Sequence, residues 1–229
     1  MSPEYFDEIL PGKKPMKHLF KMALLAVFVL PQVSSAQNTR FPTIPPEKYT
    51  AQQKKFVEEL AKPPRNSNLT NGPFKVYFRS PEFGVMAIEM SDYLRWGTGM
   101  EPRIVEFVTL ISARNWSSNY VWHAHYPAAV KGGLDPSVAA DMAAGKRPAK
   151  MKADEAVIYD FLTQMYRDKS VSDAAYNAML AKFGEKGIMD IVGLAGYYGI
   201  TAMALITSKQ PTDAGDEPKL QAVAQIFPK

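Results

Sequence analysis

Cysteine is missing from this chain altogether. Its absence excludes disulfide staples, thiolate nucleophiles, peroxidatic thiol chemistry and Cys-ligated metals, and leaves no side chain for lipoprotein acylation. Charge of one sign is also scarce, with 27 Lys and Arg against 23 Asp and Glu and a net charge of +4. The basic residues are scattered rather than gathered in a stripe, which gives no reason to invoke nucleic acid, and no run of like charge marks a tail. No alternating apolar–polar pattern of useful length predicts a strand, and no internal repeat is present. The longest apolar run of the leader, Met22 to Leu30, is nine residues, far short of the ~20 needed to span a bilayer.

What is present begins with a leader. In residues 16–36, Lys17 and Lys21 form a positive n-region, Met22 to Leu30 an apolar h-region, and Pro31 a break. Ser34 and Ala36 place small side chains where a signal peptidase needs them. Residues 1–36 are therefore expected to be a leader with a cleavable signal peptide, with Met16 as an alternative start to Met1, and the mature protein to be periplasmic or secreted with no membrane association after cleavage. The remaining 193 residues carry 23 basic and 20 acidic groups, a net charge of only +3. Their length suits one domain with a real core, predicted to run from 37 to 229.

Within it, residues 37–50 are proline-rich and read as an extended arm, either wrapped on a neighbouring subunit or a disordered terminus. Helical periodicity follows from Glu47 to Ala61, stopped by Pro63 and Pro64. A loop is expected from Asn66 to Gly72. Ser80-Pro81-Glu82 reads as an N-cap, a first-position proline and a first-turn acid, opening a helix that reaches Gly97. Further helices are predicted over Arg103–Arg114, Ser118–Lys131, a short piece capped by Asp135 and ending near Gly145, Ala153–Arg167, Ser172–Phe183 with Ser172 as cap, and Glu185–Thr207. The fold class is an all-α helical bundle with short loops. Gly193, Gly196 and Gly199 recur every third residue, and each costs ~1 kcal/mol against alanine inside a helix. That spacing predicts close approach by another helix, within the bundle or between subunits.

Chemistry has few places to live. Outside the leader only two histidines remain, His123 and His125, in Tyr120-Val-Trp122-His-Ala-His125-Tyr126-Pro127. On a helix, residues two apart point about 200° apart and do not readily share an ion, so no metal site is expected here. The helical wheel puts His125 beside Val121, Ala124 and Ala128, where small side chains leave room for a cavity; a buried histidine satisfied by a carbonyl is the plainer alternative. His123 falls on another side, at the surface or a subunit contact. Pro127 should kink the helix, because it removes a donor and crowds the carbonyl of His123. Glu106 lies roughly 150° from the apolar centre of Ile104, Val108 and Ile111, which makes it a solvated carboxylate unless a second layer of protein covers that side.

Taken in order, Gly72-Pro-Phe74, Ser80-Pro-Glu82, Asp92-Tyr-Leu-Arg95, Pro102-Arg-Ile-Val-Glu106, Tyr120-Val-Trp122-x-x-His125 with Ala128 and Gly133-Leu134, and Gly196-Tyr-Tyr-Gly199 resemble the carboxymuconolactone decarboxylase superfamily, which includes the alkylhydroperoxidase D-like proteins. The likeness runs from about Gly72 to Thr207. In the thiol-bearing branch a glutamate stands twelve residues before a Cys-x-x-Cys, and a histidine four residues after it. Here Glu106 and His125 match those two, while Ser118 and Val121 stand where the cysteines would be. The cysteine-free branch is similar to Tyr-Glu-Trp-x-x-His, and this chain has Val121 in place of that glutamate. The resemblance implies the superfamily's helical bundle, assembled as a homo-oligomer (trimer or hexamer) with sites near subunit contacts, which would cover Glu106.

The resulting expectation is a cofactor-free acid–base lyase or isomerase acting on a small carboxylated lactone or aromatic-degradation product. His125 would move the proton, Glu106 would orient it, and Tyr120 would donate to a developing enolate. Trp122, His123 and Arg114 are the candidate substrate-binding residues, with Arg114 or Lys131 taking the substrate carboxylate. Thiol peroxidase activity is not expected. The alternatives are a non-catalytic protein that binds a small apolar or aromatic ligand, with Trp122 and Tyr126 suited to it, and a purely structural oligomer.

Overall fold

A computed structural model describes residues 40–70, 72–213 and 215–222. The expected leader and signal peptide, residues 1–36, lie outside the described residues. All described residues belong to one compact unit, and every regular element among them is helical.

A short 3₁₀ turn, Pro46–Lys48, precedes α1 (Ala51–Ala61). Thr50 caps α1 by accepting from the Gln53 N–H at 3.2 Å, while the Gln53 side chain accepts from the Thr50 N–H at 3.0 Å, a reciprocal capping box. Then come α2 (Phe74–Tyr77), α3 (Pro81–Asp92), a π-helical turn (Tyr93–Gly97), α4 (Pro102–Asn115), α5 (Asn119–Lys131), α6 (Pro136–Ala143), α7 (Ala153–Asp168) and α8 (Asp173–Ser208). Most boundaries agree with the sequence reading. Asp135 and Ser172 cap α6 and α8 as expected, accepting from Ser137 and Ala175 respectively. Ser80, expected as a cap, makes no side-chain cap bond. The turn α2 falls just after the expected loop; Phe74 and Tyr77 are both buried, so packing forms it rather than periodicity.

The core is organised around α4. Eleven successive residues, Arg103 to Ala113, are buried, because α5, α6, α7 and α8 all pack against this one helix. A helix covered on every side must pair its polar groups. Arg103 does so by donating to Glu155 at 2.5 Å and to Asp154 at 2.7 Å, tying α4 to α7. Thr109 and Ser112 donate back to the carbonyls of Val105 and Val108. Around α4 lie Phe107, Leu110, Trp122, Ile158, Leu162 and Ile191, each at most 1% exposed, and each such burial stabilises by about 1.5–3 kcal/mol.

α8 is long and apolar enough to cross a membrane, yet 56% of its most apolar window is buried inside the fold. Its course breaks at Gly184, where φ is +67°, a left-handed conformation that favours glycine; this is the boundary expected between two helices. The three-glycine ridge splits in its roles. A Cβ on Gly193 would meet Leu94 at 3.2 Å and one on Gly199 would meet Trp116 Nε1 at 3.1 Å, but one on Gly196 would meet nothing within 4 Å. Close approach within the bundle therefore explains two of the three.

The proline-rich arm is described from residue 40 onward. Over residues 40–50 it lies back on its own chain: the Arg40 N–H donates to the Ser208 carbonyl at 3.1 Å. Arg79 donates to the Pro42 carbonyl and sits over the Phe41 ring. Tyr49 packs edge-on against Phe78 with centroids 4.6 Å apart.

Candidate active site

Residue 106 sits mid-way along α4, and residue 125 mid-way along the neighbouring α5. The two helices lie side by side and bring the groups together: His125 Nδ1 is 2.6 Å from Glu106 Oε2. The second carboxylate oxygen, Oε1, accepts from an Arg95 Nη2–H at 3.1 Å. Only 7% of the Glu106 side chain is exposed, against 16% for His125 and 23% for Arg95. The wheel reading that left Glu106 in solvent fails because α4 has no outer face. The layer that covers the carboxylate comes from α5 and the π turn of the same chain, without a second subunit.

Burial alone would favour the neutral acid at Glu106. The hydrogen bond and charge of His125, then the Arg95 cation, outweigh that penalty and hold its pKa below the ordinary glutamate value. A Tyr198 ring from α8 closes another side, edge-to-face on the imidazole with centroids 4.9 Å apart. Burial pushes the Tyr198 phenol far above its ordinary pKa, and the nearby Arg95 charge only partly opposes this. The phenol is therefore protonated at any ordinary pH. Val121, one turn before His125, is 1% exposed and belongs to the apolar core. Ala124 and Ala128 are exposed beside the half-buried imidazole.

α5 is continuous from Asn119 to Lys131 through Pro127. The proline leaves the His123 carbonyl without its helical donor, as its missing N–H requires.

The other candidates lead elsewhere. The Tyr120 hydroxyl accepts from the Gly72 N–H at 3.0 Å. Trp122 Nε1 donates to the Pro218 carbonyl at 2.8 Å. His123 Nδ1 lies 3.0 Å from Glu217 Oε2. Arg114 donates to the carbonyls of Met142 and Gln221, each at 2.9 Å. Trp122, His123 and Arg114 thus hold the C-terminal strap, residues 215–222, across α5 and α6. A groove between strap and helix is lined by Asn119, Trp122, Asp213, Glu217 and Lys219. His123 and His125 do diverge, as their spacing on a helix demands.

Two site residues escaped the sequence reading, Arg95 and Tyr198. Both stand in segments quoted for the resemblance, so order along the chain held a signal that helical periodicity did not.

No protein-family model and no curated protein matches the chain in sequence. Solved structures do match in three dimensions. An uncharacterized peroxidase-related protein from Silicibacter sp. TM1040 aligns with a TM-score of 0.60 at 19% identity, covering 80% of this chain and 94% of that one. A protein of unknown function from Agrobacterium tumefaciens, proposed to be the antioxidant defence protein AhpD, aligns at 0.55 and 14% identity, covering 63% of this chain and all of that one. The chain has the AhpD-like fold. At these identities the likeness speaks for architecture alone. Within the AhpD-like fold, this chain keeps a glutamate–histidine pair in contact and has no thiol.

Proposed function

We propose that the protein is an acid–base lyase or isomerase that works without a thiol, on a small carboxylated lactone or a related product of aromatic-ring breakdown. The observation that carries the reading is the 2.6 Å bond between His125 Nδ1 and Glu106 Oε2. It is reinforced by a carboxylate held ionised and by an imidazole that keeps part of its surface open. An ionised carboxylate only accepts, so Nδ1 donates to it, and Nε2 is left to take or give a proton.

In isomerisation, Nε2 removes a proton from a carbon next to the lactone carbonyl, the electron pair moves into an enolate, and the same proton returns at another carbon of the conjugated system. In decarboxylation, Nε2 takes the proton of the departing carboxyl group, carbon dioxide leaves as the bonding pair passes into the carbonyl system, and the imidazolium returns that proton to the carbon. Glu106 stabilises the imidazolium in both. With the export expected from the leader, the reaction would take place in the periplasm or outside the cell.

We also propose a homo-oligomer. What supports it is an exposed apolar surface unusual for a lone chain. Met86, Met90, Tyr93 and Trp96 lie outward along α3 and the π turn, and Met189, Met203 and Ile206 along α8, all between 44% and 64% exposed.

The function is tested by assaying His125→Ala on a panel of small carboxylated lactones between about pH 5 and 9. Turnover by the native protein and a loss of about 10²–10⁴-fold in the variant is the expected result. Binding of the panel without turnover by the native protein would instead favour the ligand-binding alternative.

A further inference from the structure

Arg95 reaches Glu106 from a peculiar stretch of backbone. The π turn Tyr93–Gly97 widens the helix just after α3, and such insertions recur at functional sites. Its consequence here is that Leu94 is buried and Arg95 turns inward, while Tyr93 and Trp96 on either side stay 47% and 45% exposed. The guanidinium is then braced. It lies 4.7 Å from the centre of the Trp96 ring, and the same ring has Arg65 at 5.4 Å on it. Arg65 is itself anchored to Asp92 at 2.5 Å and to the Ile88 carbonyl at 3.3 Å.

Arg95 Nε, like those of Arg65 and Arg79, is buried and has no hydrogen-bond partner among the described residues. What distinguishes Arg95 is that its fork turns toward one carboxylate oxygen, Glu106 Oε1. That oxygen is the one His125 does not use.

We infer that Arg95 is a positioning residue for the imidazole of His125, acting through Glu106; the inference rests on the acid–base reading above. By tying Oε1 it fixes the rotation of the carboxylate, so that Oε2 faces Nδ1 alone. The ring is thereby held as the Nδ1–H tautomer, with the lone pair on Nε2.

The test is the imidazole ¹⁵N spectrum of the full chain at pH 7, with His125 assigned by its disappearance in H125Q. The native protein is expected to show one Nδ1–H form. R95M, folded by circular dichroism, is expected to lose that single form, giving mixed tautomers, and R95K to restore most of it. If R95M does not fold, R95Q carries the same test. On any substrate the native protein turns over, R95M should lower kcat more than tenfold with KM within a factor of three. An R95M spectrum identical to the native one overturns the inference, even if the native protein turns over lactones. A spectrum that depends on Arg95 in a protein without turnover upholds the positioning role and removes the enzymatic reading instead.

Discussion

The imidazole of His125 stands edge-to-face against the phenol ring of Tyr198, their centres 4.9 Å apart. Tyr198 is 2% exposed and α8 packs against both α4 and α5, so this ring sits where α8 meets the helices that carry the pair. Removing only the hydroxyl in Tyr198→Phe keeps the ring in place and should cost about 1 kcal/mol or less. Tyr198→Ala should cost about 3–5 kcal/mol by opening a cavity beneath the imidazole. Urea unfolding checks both. Equal costs would mean that the ring does not carry the packing.

Acid should loosen the site in a defined direction. Glu106 ionises below its ordinary value of 4.5 in the folded protein, burial being outweighed by His125 and Arg95. A carboxyl depressed in this way adds stability above its unfolded pKa, and that stability disappears as pH falls through the folded value. The melting temperature of native protein should therefore exceed that of Glu106→Gln at pH 7, with the gap closing between about pH 5 and pH 3. A gap that is constant or widens in acid contradicts the assignment.

The strap offers a separate handle. Glu217 accepts from Lys219 at 2.6 Å and pairs with His123 at 3.0 Å. Burial works against its charge, but Lys219, a backbone donor and His123 prevail and hold its pKa at about 2. Glu217→Gln should leave the helical bundle intact and speed tryptic cleavage at Lys219 several-fold, since local opening governs such cleavage. Unchanged cleavage would show that Trp122 and Arg114 hold the segment alone.

The exposed apolar face gives a prediction about assembly. Light scattering of the native protein should return a multiple of the chain mass. Met189→Glu, at a position 64% exposed in the single chain, should shift it toward the monomer by placing a charge in the contact. A monomeric native protein would refute the oligomer.

Much of the bundle was legible because its helices announce their own ends: Asp135 and Ser172 as caps, and Gly184 as a break. α2 was not, since four residues held by Phe74 and Tyr77 carry no period to read. The strap was not either, because its hold on α5 and α6 is made by isolated polar contacts. In the site, periodicity misplaced Glu106, because a wheel assumes an outer face and α4 has none. Arg95 lies where a π turn resets the helical phase, so its inward direction could not be read from α3. The pairing of Glu106 with His125 was anticipated from family-like spacing rather than from hydrophobic pattern.

The proposed chemistry requires Glu106 and His125 to act as one proton-handling unit. A double-mutant cycle on kcat/KM with His125→Ala and Glu106→Gln measures this directly. Residues working as a unit are grossly non-additive, so the double variant should be no slower than His125→Ala alone. Independent, multiplying losses, or full turnover in His125→Ala, would contradict the account.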